Sequence, residues 1–359
     1  NYYCWPYFLT QIITMSLYLL AFFMSFATNL ILIIPFIDFL YKMKFQRARQ
    51  VTRDMFDERT PIFDRHHAVK AGIPVGGGVL ISATTLIMFL ASIAYFMISG
   101  KNIVSNYASV FSEIKIIIFT LVSFSLLGLY DDVKKMLFIK EGSFFGLRLR
   151  HKLVIEIILA SIISYMMFTE LKIDILHIPF FGVYEISWLY MLFSTFVIVS
   201  FANAVNITDG LDGMASGTLT IALLAFWAVS ISILDTPLLV FIAIWLGGLI
   251  AFLYFNIYPA RLMLGDTGAL AFGATFAVIG LLLGKSFALP IIGGVFVIEI
   301  TSSLIQLLSR QFRGKKAFPV APLHLWLQHR GWAEPTVVMR AWIAGALFAT
   351  FGLMVAFVK

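Results

Sequence analysis

Polar residues able to bind a ligand are concentrated in the segment Asn203–Gly213, which lies between two long apolar runs. It holds two carboxylates, two carboxamides, one threonine and two glycines: Asn203, Asn206, Thr208, Asp209, Gly210, Asp212 and Gly213. Unpaired polar groups so close to hydrocarbon cost several kcal/mol, and for that reason they usually mark a functional site. Asp and Asn also stabilise turns by bonding their own backbone, but turn chemistry explains one or two such residues rather than so dense a set.

Three further carboxylates occur near the ends of apolar segments. Asp131 and Asp132 are adjacent and precede two lysines, whereas Asp266 follows a Pro- and Gly-containing stretch that begins at Phe255. Adjacent carboxylates repel each other, so a cation must offset their charge or one pKa rises. Carboxylates suit Mg²⁺ and basic side chains suit phosphate oxygens, which predicts a phosphate substrate bridged by a metal. Taken alone, the Asp pair is more typical of a capped helix end, and Asp266 fits a cap as well as a metal ligand.

Two other segments carry weaker signals. In Lys70–Gly78, successive glycines could expose backbone N–H groups that cradle a phosphate at a helix start, although a glycine run there is more often a turn. In Ala321–Trp332, Pro322 suits the start of a short surface helix and His324 could face the site, although a lone loop histidine is usually solvated. Glu299 lies within an apolar segment, and the sequence assigns it no chemistry.

Composition places the chain in a membrane. Hydrophobic residues make up 60% and charged residues 13% of the 359 residues, whereas soluble proteins have about 25% charged residues. Ten apolar segments are near the length that crosses about 30 Å of hydrocarbon: Thr14–Phe39, Val79–Gly100, Lys115–Tyr130, Leu153–Phe168, Ile186–Phe201, Met214–Leu234, Thr236–Phe255, Ala269–Leu283, Phe287–Leu308 and Val337–Val358. Spans must be helical because lipid offers the backbone no partners. We therefore predict an all-α integral membrane protein with about ten transmembrane helices in a single domain, 1–359.

The basic residues predict the orientation of these helices. Alternate loops, at about 42–78, 131–152, 203–213, 256–268 and 309–336, hold or adjoin 21 of the 26 lysine and arginine residues. By the positive-inside rule these loops are cytoplasmic and both termini are extracytoplasmic. The candidate carboxylates then share the cytoplasmic face with the basic clusters. The net charge of +7 reflects topology, and we expect no binding of nucleic acid.

The cysteine content and the lack of a clear internal repeat argue against other kinds of metal site and against a transporter. The only cysteine, Cys4, excludes an internal disulfide and a cysteine-rich metal centre. Oxygen ligands with few histidines favour Mg²⁺ or Mn²⁺ over zinc. The sequence shows no clear internal repeat, which disfavours an inverted-repeat transporter. A transporter or flippase would also place acidic residues in the middle of its spans, whereas here they crowd at one face.

Taken together, these motifs resemble those of the polyprenyl-phosphate N-acetylhexosamine-1-phosphate transferases. The resemblance covers nearly the whole chain, and it includes the ten spans and both predicted outer termini. The shared motifs are Asp131-Asp132, Asn203–Gly213, Phe255-Asn256 with Gly265-Asp266, Ala321–His324, and Gly331-Trp332 followed by Glu334-Pro335. Five motifs in this order and spacing are too specific for chance agreement.

Within that family, the pattern is most similar to the members that act on a muramoyl-pentapeptide. The resemblance implies transfer of phospho-MurNAc-pentapeptide from UDP-MurNAc-pentapeptide to undecaprenyl phosphate, with Mg²⁺ as cofactor. The products would be lipid I and UMP, released at the cytoplasmic side of a bacterial plasma membrane. The resemblance also suggests a homodimer.

The resemblance implies roles for individual residues. Asp266 would bind the metal, Asp131 would be the base or nucleophile supported by Asp132, and His324 would belong to the same catalytic set. Substrate-binding residues are expected at Lys70, Lys135, Lys152, Asn203, Asn206, Asp209, Gly210, Leu211, Asp212, Asn256 and Met263. Among them, Asp209 matches a position beside the diphosphate and sugar, and Asp212 matches a position near the uracil.

Three departures from the family pattern keep an alternative open. His324-Leu325-Trp326 stands where the family has three histidines, Ile73-Pro74-Val75 stands where threonines are usual, and Met263 replaces an aromatic residue that stacks on uracil. A sister enzyme that transfers GlcNAc-1-phosphate or a related sugar phosphate is the alternative. A degenerate, inactive scaffold would be expected to lose the key aspartates, and all of them are present.

Overall fold

The computed structural model describes residues 4–47, 70–137 and 149–358, without side chains for 4–14, 137 and 149. Parts of the predicted loops 42–78 and 131–152 therefore lie outside the described residues. The elements are α1 Cys4–Lys42, α2 Gly77–Ile98, α3 Val110–Leu137, α4 Leu149–Glu170, β1 Ile175–Ile178, β2 Gly182–Glu185, α5 Leu189–Thr208, α6 Met214–Ile233, α7 Thr236–Asn256, α8 Gly265–Leu282, α9 Ala288–Ile292, α10 Gly294–Arg313, α11 Leu323–His329 and α12 Glu334–Phe357. The prediction of an all-α membrane protein is confirmed.

Within the described ranges, nine helices are long and apolar enough to cross a membrane. They correspond to nine of the ten predicted segments. The tenth, Phe287–Leu308, is not one continuous span but two helices, α9 and α10, interrupted at Gly293. The second helix, α10, is amphipathic, with Glu299, Gln306 and Arg310 among its apolar residues. A polar stripe of this kind is expected to face protein or an interface rather than lipid.

A two-stranded antiparallel hairpin joins α4 to α5, and the sequence did not predict it. Ile175 pairs with Glu185, and Ile178 pairs with Gly182 at the turn. Gly182 has a φ of 104°, a backbone conformation that glycine adopts without steric cost. The hairpin lies between the helix ends farthest from the predicted site.

Helix α8 is the centre of the bundle. It packs against α2, α3 and α5, and nearly all of its residues are buried. Two glycines allow the closest approaches at its first turn. A Cβ on Gly128 of α3 would collide with the backbone of Asp266, and a Cβ on Gly78 of α2 would collide with the backbone of Gly268. The start of α8 is thus held between two neighbouring helices.

We predict that Gly128→Ala destabilises the protein and lowers activity, because the added methyl group must push the first turn of α8 away from α3. Overpacking of this kind costs about 1–3 kcal/mol. Gly345→Ala in α12 is the matched control, since a Cβ there meets its nearest neighbours at 3.5 and 3.8 Å, which is ordinary contact. Thermal unfolding in detergent should show a lower melting temperature for the Gly128 variant alone; equal melting temperatures would contradict the tight approach.

Candidate functional site

Two aspartates from different helices are bridged by two lysines. Asp131 and Lys135 lie one turn apart near the end of α3, Lys152 lies in the first turn of α4, and Asp266 lies in the first turn of α8. Lys135 Nζ is 3.1 Å from Asp131 and 2.8 Å from Asp266. Lys152 Nζ is 3.2 Å from Asp131 and 2.5 Å from Asp266. The result is a compact, largely buried cluster in which carboxylates and ammonium groups neutralise each other.

Asp132 points away from its neighbour and caps α8. One of its oxygens accepts a hydrogen bond from the Asp266 N–H at 3.0 Å. The other accepts from the Thr267 N–H at 2.9 Å and the Thr267 hydroxyl at 2.7 Å. A carboxylate suits this place, because the first N–H groups of a helix lack partners and carry partial positive charge. Asp132 therefore orients Asp266, and Thr267 is a site residue that sequence reasoning missed.

The donor set at the Lys-bridged cluster fits a hard divalent cation. Among the described residues, no group of three or more His, Cys, Asp or Glu side chains is placed to hold a metal ion. Mg²⁺ seldom needs such a cage, because it usually binds one or two carboxylates together with substrate phosphates and water. Asp131 and Asp266 could supply those carboxylates. Both oxygens of Asp132 are already engaged by the start of α8.

Lys70 is the centre of a second charged network. The lysine is 5% exposed, and its Nζ contacts Asp212 at 2.7 Å and Glu334 at 2.6 Å. It also donates to the Gly210 carbonyl at 3.3 Å. Glu334 accepts a further bond from the Asp212 N–H at 2.7 Å, while the second Asp212 oxygen accepts from the Ala260 N–H at 3.0 Å. Glu334 thus fastens the start of α12 to the turn before α6, a role the sequence did not indicate.

Asn256, at the end of α7, holds that same turn from the other side. Its Oδ1 accepts from the Gly213 N–H at 3.2 Å and from the Ser216 hydroxyl at 2.7 Å. Its Nδ2 donates to the Leu262 carbonyl at 2.9 Å. Asn256 is also 2% exposed. Both polar atoms of its side chain are therefore used to hold the loops that follow α5 and α7.

The glycine run does not form a phosphate cradle, which the sequence had raised only as the less common explanation of such a run. The N–H groups of Gly76 and Gly77 both donate to the Met263 carbonyl, at 3.2 and 2.9 Å, and the Gly78 N–H donates to the Leu264 carbonyl at 2.9 Å. A neighbouring loop thus already satisfies these donors. Met263 forms a parallel bridge with Val75 and is only 3% exposed, so its side chain is buried at this pairing.

The segment Asn203–Gly213 is helical in its first half and a turn in its second. Asn203 and Asn206 lie in the last two turns of α5, which runs to Thr208, not in a loop. Asp209 ends this helix, and Asp212 lies in the turn that follows. The Gly213 φ of 77° explains why the helix cannot continue into α6.

Asp209 carries an unusual carboxyl group. Burial raises the pKa of Asp209 to about 8, although the nearby positive charges of Arg47 and Lys70 lower it. The charges of Asp266 and Asp212 act in the opposite direction and favour the protonated form. Asp209 therefore lies within electrostatic range of both the Lys-bridged cluster and the Lys70 network.

His324 reaches the site from α11 and is held by Glu299 of α10. His324 Nδ1 is 2.9 Å from a Glu299 carboxylate oxygen, and the two side chains are 2% and 3% exposed. This contact fixes the imidazole ring with Nε2 against Gly210, where a Cβ would not fit. Glu299, to which the sequence assigned no chemistry, therefore positions His324. A buried acid in an apolar helix was the signal that could have found it.

Leu211 differs from the other predicted substrate-binding residues. It is 2% exposed and packs with Met214, Val295, Val337 and Val338 in a small apolar cluster. Through this cluster, the turn before α6 and the start of α6 pack against α10 and α12.

Two more charged residues near the site were missed from the sequence. Glu156 of α4 contacts Asn203, and Arg47 lies close enough to Asp209 to lower its pKa. Neither lies in a motif, and each is brought to the site from a distant part of the chain.

Comparison with known proteins agrees with this architecture. Residues 114–284 match glycosyl transferase family 4. The chain is 35% identical to the phospho-N-acetylmuramoyl-pentapeptide-transferase of Oceanobacillus iheyensis over 89% of this chain and 92% of that protein. It is 34% identical to the enzyme of the same name from Pelagibacter ubique, over 93% and 91% of the two chains, and 36% identical to that of Borrelia turicatae, over 80% and 83%. The chain therefore belongs to the phospho-N-acetylmuramoyl-pentapeptide-transferase family.

Proposed function

We propose that this protein transfers phospho-MurNAc-pentapeptide from UDP-MurNAc-pentapeptide to undecaprenyl phosphate, giving lipid I and UMP in peptidoglycan synthesis. The reaction would take place at the cytoplasmic face of a bacterial plasma membrane, where the basic loops are predicted to lie. The similarity to three enzymes of that name supports this function. The observation that carries it is the pair Asp131 and Asp266, bridged by Lys135 and Lys152 at one end of a helical membrane bundle.

The site has the features that this reaction needs. One phosphoanhydride is exchanged for another, so the overall change in free energy is small and catalysis consists mainly of positioning and charge neutralisation. Lys135 and Lys152 are placed to move from the carboxylates to phosphate oxygens when substrates bind. Lysine suits this exchange, because its ammonium is a compact charge on a flexible stem.

Asp131 is the best-placed base. An oxygen of the undecaprenyl phosphate would attack the phosphorus attached to the sugar, and the P–O bond to the uridine monophosphate would break, releasing UMP. Asp131 would accept a proton from the lipid phosphate or orient it for in-line attack. A direct attack of this kind forms no covalent enzyme intermediate. Trapping a phospho-sugar on Asp131 in a quenched reaction would refute it.

Mg²⁺ fits the oxygen donors of Asp266, and when bound it would neutralise charge on the diphosphate oxygens. Asp132 would keep Asp266 in place through the start of α8. The turn from Asp209 to Gly213 would lie at the nucleotide side of the site. Lys70, Asp212 and Asn256 shape the turn at that side, and Asp209 lies between it and the cluster.

A substrate-selectivity assay tests the proposed function. Purified protein in detergent, with undecaprenyl phosphate and Mg²⁺, is expected to release UMP from UDP-MurNAc-pentapeptide and not from UDP-GlcNAc. Release from UDP-GlcNAc alone would assign the chain to the sister enzymes that transfer GlcNAc-1-phosphate. No release from either nucleotide sugar would refute both functions.

Asp266→Asn is expected to abolish turnover while leaving the fold intact. The amide keeps the size of the side chain, and both lysines keep Asp131 as a partner, but the charged oxygen ligand for Mg²⁺ is lost. We expect a rate at least about 100-fold lower, as is typical when a principal electrostatic contact is removed, and a lower melting temperature, because Lys135 and Lys152 keep only Asp131 as a counter-charge. Wild-type rates in this variant would show that Asp266 is not the metal ligand.

The pKa of Asp209 predicts how stability depends on pH. The folded protein keeps a proton on Asp209 up to about pH 8, whereas an unfolded chain releases it near pH 4. Asp209 therefore destabilises the folded state increasingly as pH rises from about 4 to about 8. Asp209→Asn is expected to melt at a higher temperature than the wild type at pH 8, with a smaller difference at pH 5. A difference that does not change with pH would contradict the raised pKa.

A further inference from the structure

Glu156 of α4 is a fully buried acid that the mechanism above does not use. Its side chain is 0% exposed, and it lies one helical turn after Lys152, which bridges Asp131 and Asp266. One carboxylate oxygen, Oε2, accepts a hydrogen bond from Asn203 Nδ2 at 2.5 Å. The other oxygen, Oε1, is buried and has no hydrogen-bond partner among the described residues. A buried acid with so few partners is costly, so a role beyond helix packing is expected.

The contact with Glu156 determines which way the Asn203 amide points. Asn203 Nδ2 donates to Glu156 Oε2 and also to the Val199 carbonyl, at 2.9 Å. A backbone carbonyl can only accept hydrogen bonds, and so can an ionised carboxylate. Both neighbours therefore require the NH₂ group of Asn203 on their side. The carbonyl oxygen, Oδ1, must point the other way.

Asn203 Oδ1 is open on its own side. No described residue donates a hydrogen bond to this oxygen, yet it is not among the enclosed polar atoms that lack a partner. Asn203 is partly exposed, as is Asn206, which lies about one turn later on α5. If the proposed function is correct, this oxygen is available to accept a hydrogen bond from the nucleotide sugar.

We propose that Glu156 is a positioning residue that locks the Asn203 amide, so that Oδ1 accepts a hydrogen bond from an N–H or O–H group of the nucleotide sugar. This inference rests on the proposed function and specifies one of its sugar contacts. Asn203 would act as an acceptor toward substrate, although an asparagine can in general donate as well. The hydrogen bond to Glu156 occupies the NH₂ group of Asn203 and leaves only the acceptor role toward substrate.

A purely structural role for the pair makes a different prediction. If the Glu156–Asn203 bond served only to join α4 to α5, its loss would lower the melting temperature and the amount of active protein. The KM for each substrate would then stay the same in the molecules that remain folded. A positioning role instead changes the KM for the nucleotide sugar and leaves the KM for undecaprenyl phosphate unchanged.

Exchanging the acid and the amide between the two positions separates these roles. Asn203→Asp places two acceptors opposite each other, so the new carboxyl group must turn away, and we expect the KM for the nucleotide sugar to rise about 10-fold or more. Adding Glu156→Gln supplies an NH₂ group that can donate to one oxygen of the new carboxyl group; when protonated, that oxygen can also donate to the Val199 carbonyl, while the other oxygen again faces the pocket. The double variant is expected to return to within about 3-fold of the wild-type KM. Glu170→Gln, at the partly exposed far end of α4, is the matched control and should change neither KM.

The double variant alone decides the matter if Asn203→Asp does not fold. It presents an acceptor to the pocket but no amide donor from position 203, so a KM near the wild-type value supports the inference. A double variant that folds, binds undecaprenyl phosphate normally and keeps a high KM for the nucleotide sugar overturns it. If wild-type protein turns over no nucleotide sugar, the proposed function fails, and this inference falls with it.

An analogue identifies the donor on the sugar. Replacing the 2-acetamido group of the substrate with 2-acetoxy removes one N–H group and little else. If that N–H bonds to Asn203 Oδ1, the analogue should raise the KM of the wild type and not add to the effect of Asn203→Asp. If a hydroxyl group is the donor, the two effects multiply.

Discussion

The enclosure of two aspartates with two lysines at the edge of a membrane bundle is the constraint on which the rest of this structure depends. Two carboxylates in a low-dielectric environment repel each other strongly, and Asp131 and Asp266 remain together because Lys135 and Lys152 each contact both. Such a cluster is stable without substrate, yet each ion pair can be exchanged for a phosphate or a metal ion. The cluster thus holds the charged groups that catalysis needs, while its positive and negative charges offset each other when no substrate is bound.

The packing of the surrounding helices fixes the positions of the aspartates in the cluster. Asp266 is placed by backbone contacts as much as by its own side chain, since Gly128 and Gly78 allow α3 and α2 to touch the first turn of α8. Asp132 then bonds that turn directly. The adjacent aspartates therefore differ in what they do: Asp131 faces the lysines, whereas Asp132 caps a helix. Three glutamates follow the same rule, because each holds another polar residue of the site: Glu156, Glu299 and Glu334.

Sequence reasoning predicted what depends on composition and on local pattern. Apolar length predicted ten spans, nine of which correspond to long apolar helices among the described residues, and the clustering of polar residues identified the segments that meet at the site. What it did not predict involves contacts between segments distant in the chain. The Gly76–Gly78 donors are satisfied by a loop that lies far along the chain, at Met263 and Leu264, and the polar stripe of α10 lies among apolar residues that predicted a span. The pairing of Glu299 with His324 likewise requires the folded chain, because neither residue carries a local signal for its partner.

Metal binding by the wild-type protein tests the Lys-bridged cluster most directly. Electron paramagnetic resonance can count bound Mn²⁺ with and without UDP-MurNAc-pentapeptide. One Mn²⁺ per chain, displaced by Mg²⁺ and bound more tightly when the nucleotide sugar is present, is expected, because the lysines compete with the metal until phosphates draw them away. The absence of bound Mn²⁺ under conditions that support turnover, or tight binding that the nucleotide sugar does not change, would contradict the assignment of Asp131 and Asp266 as the metal and phosphate site.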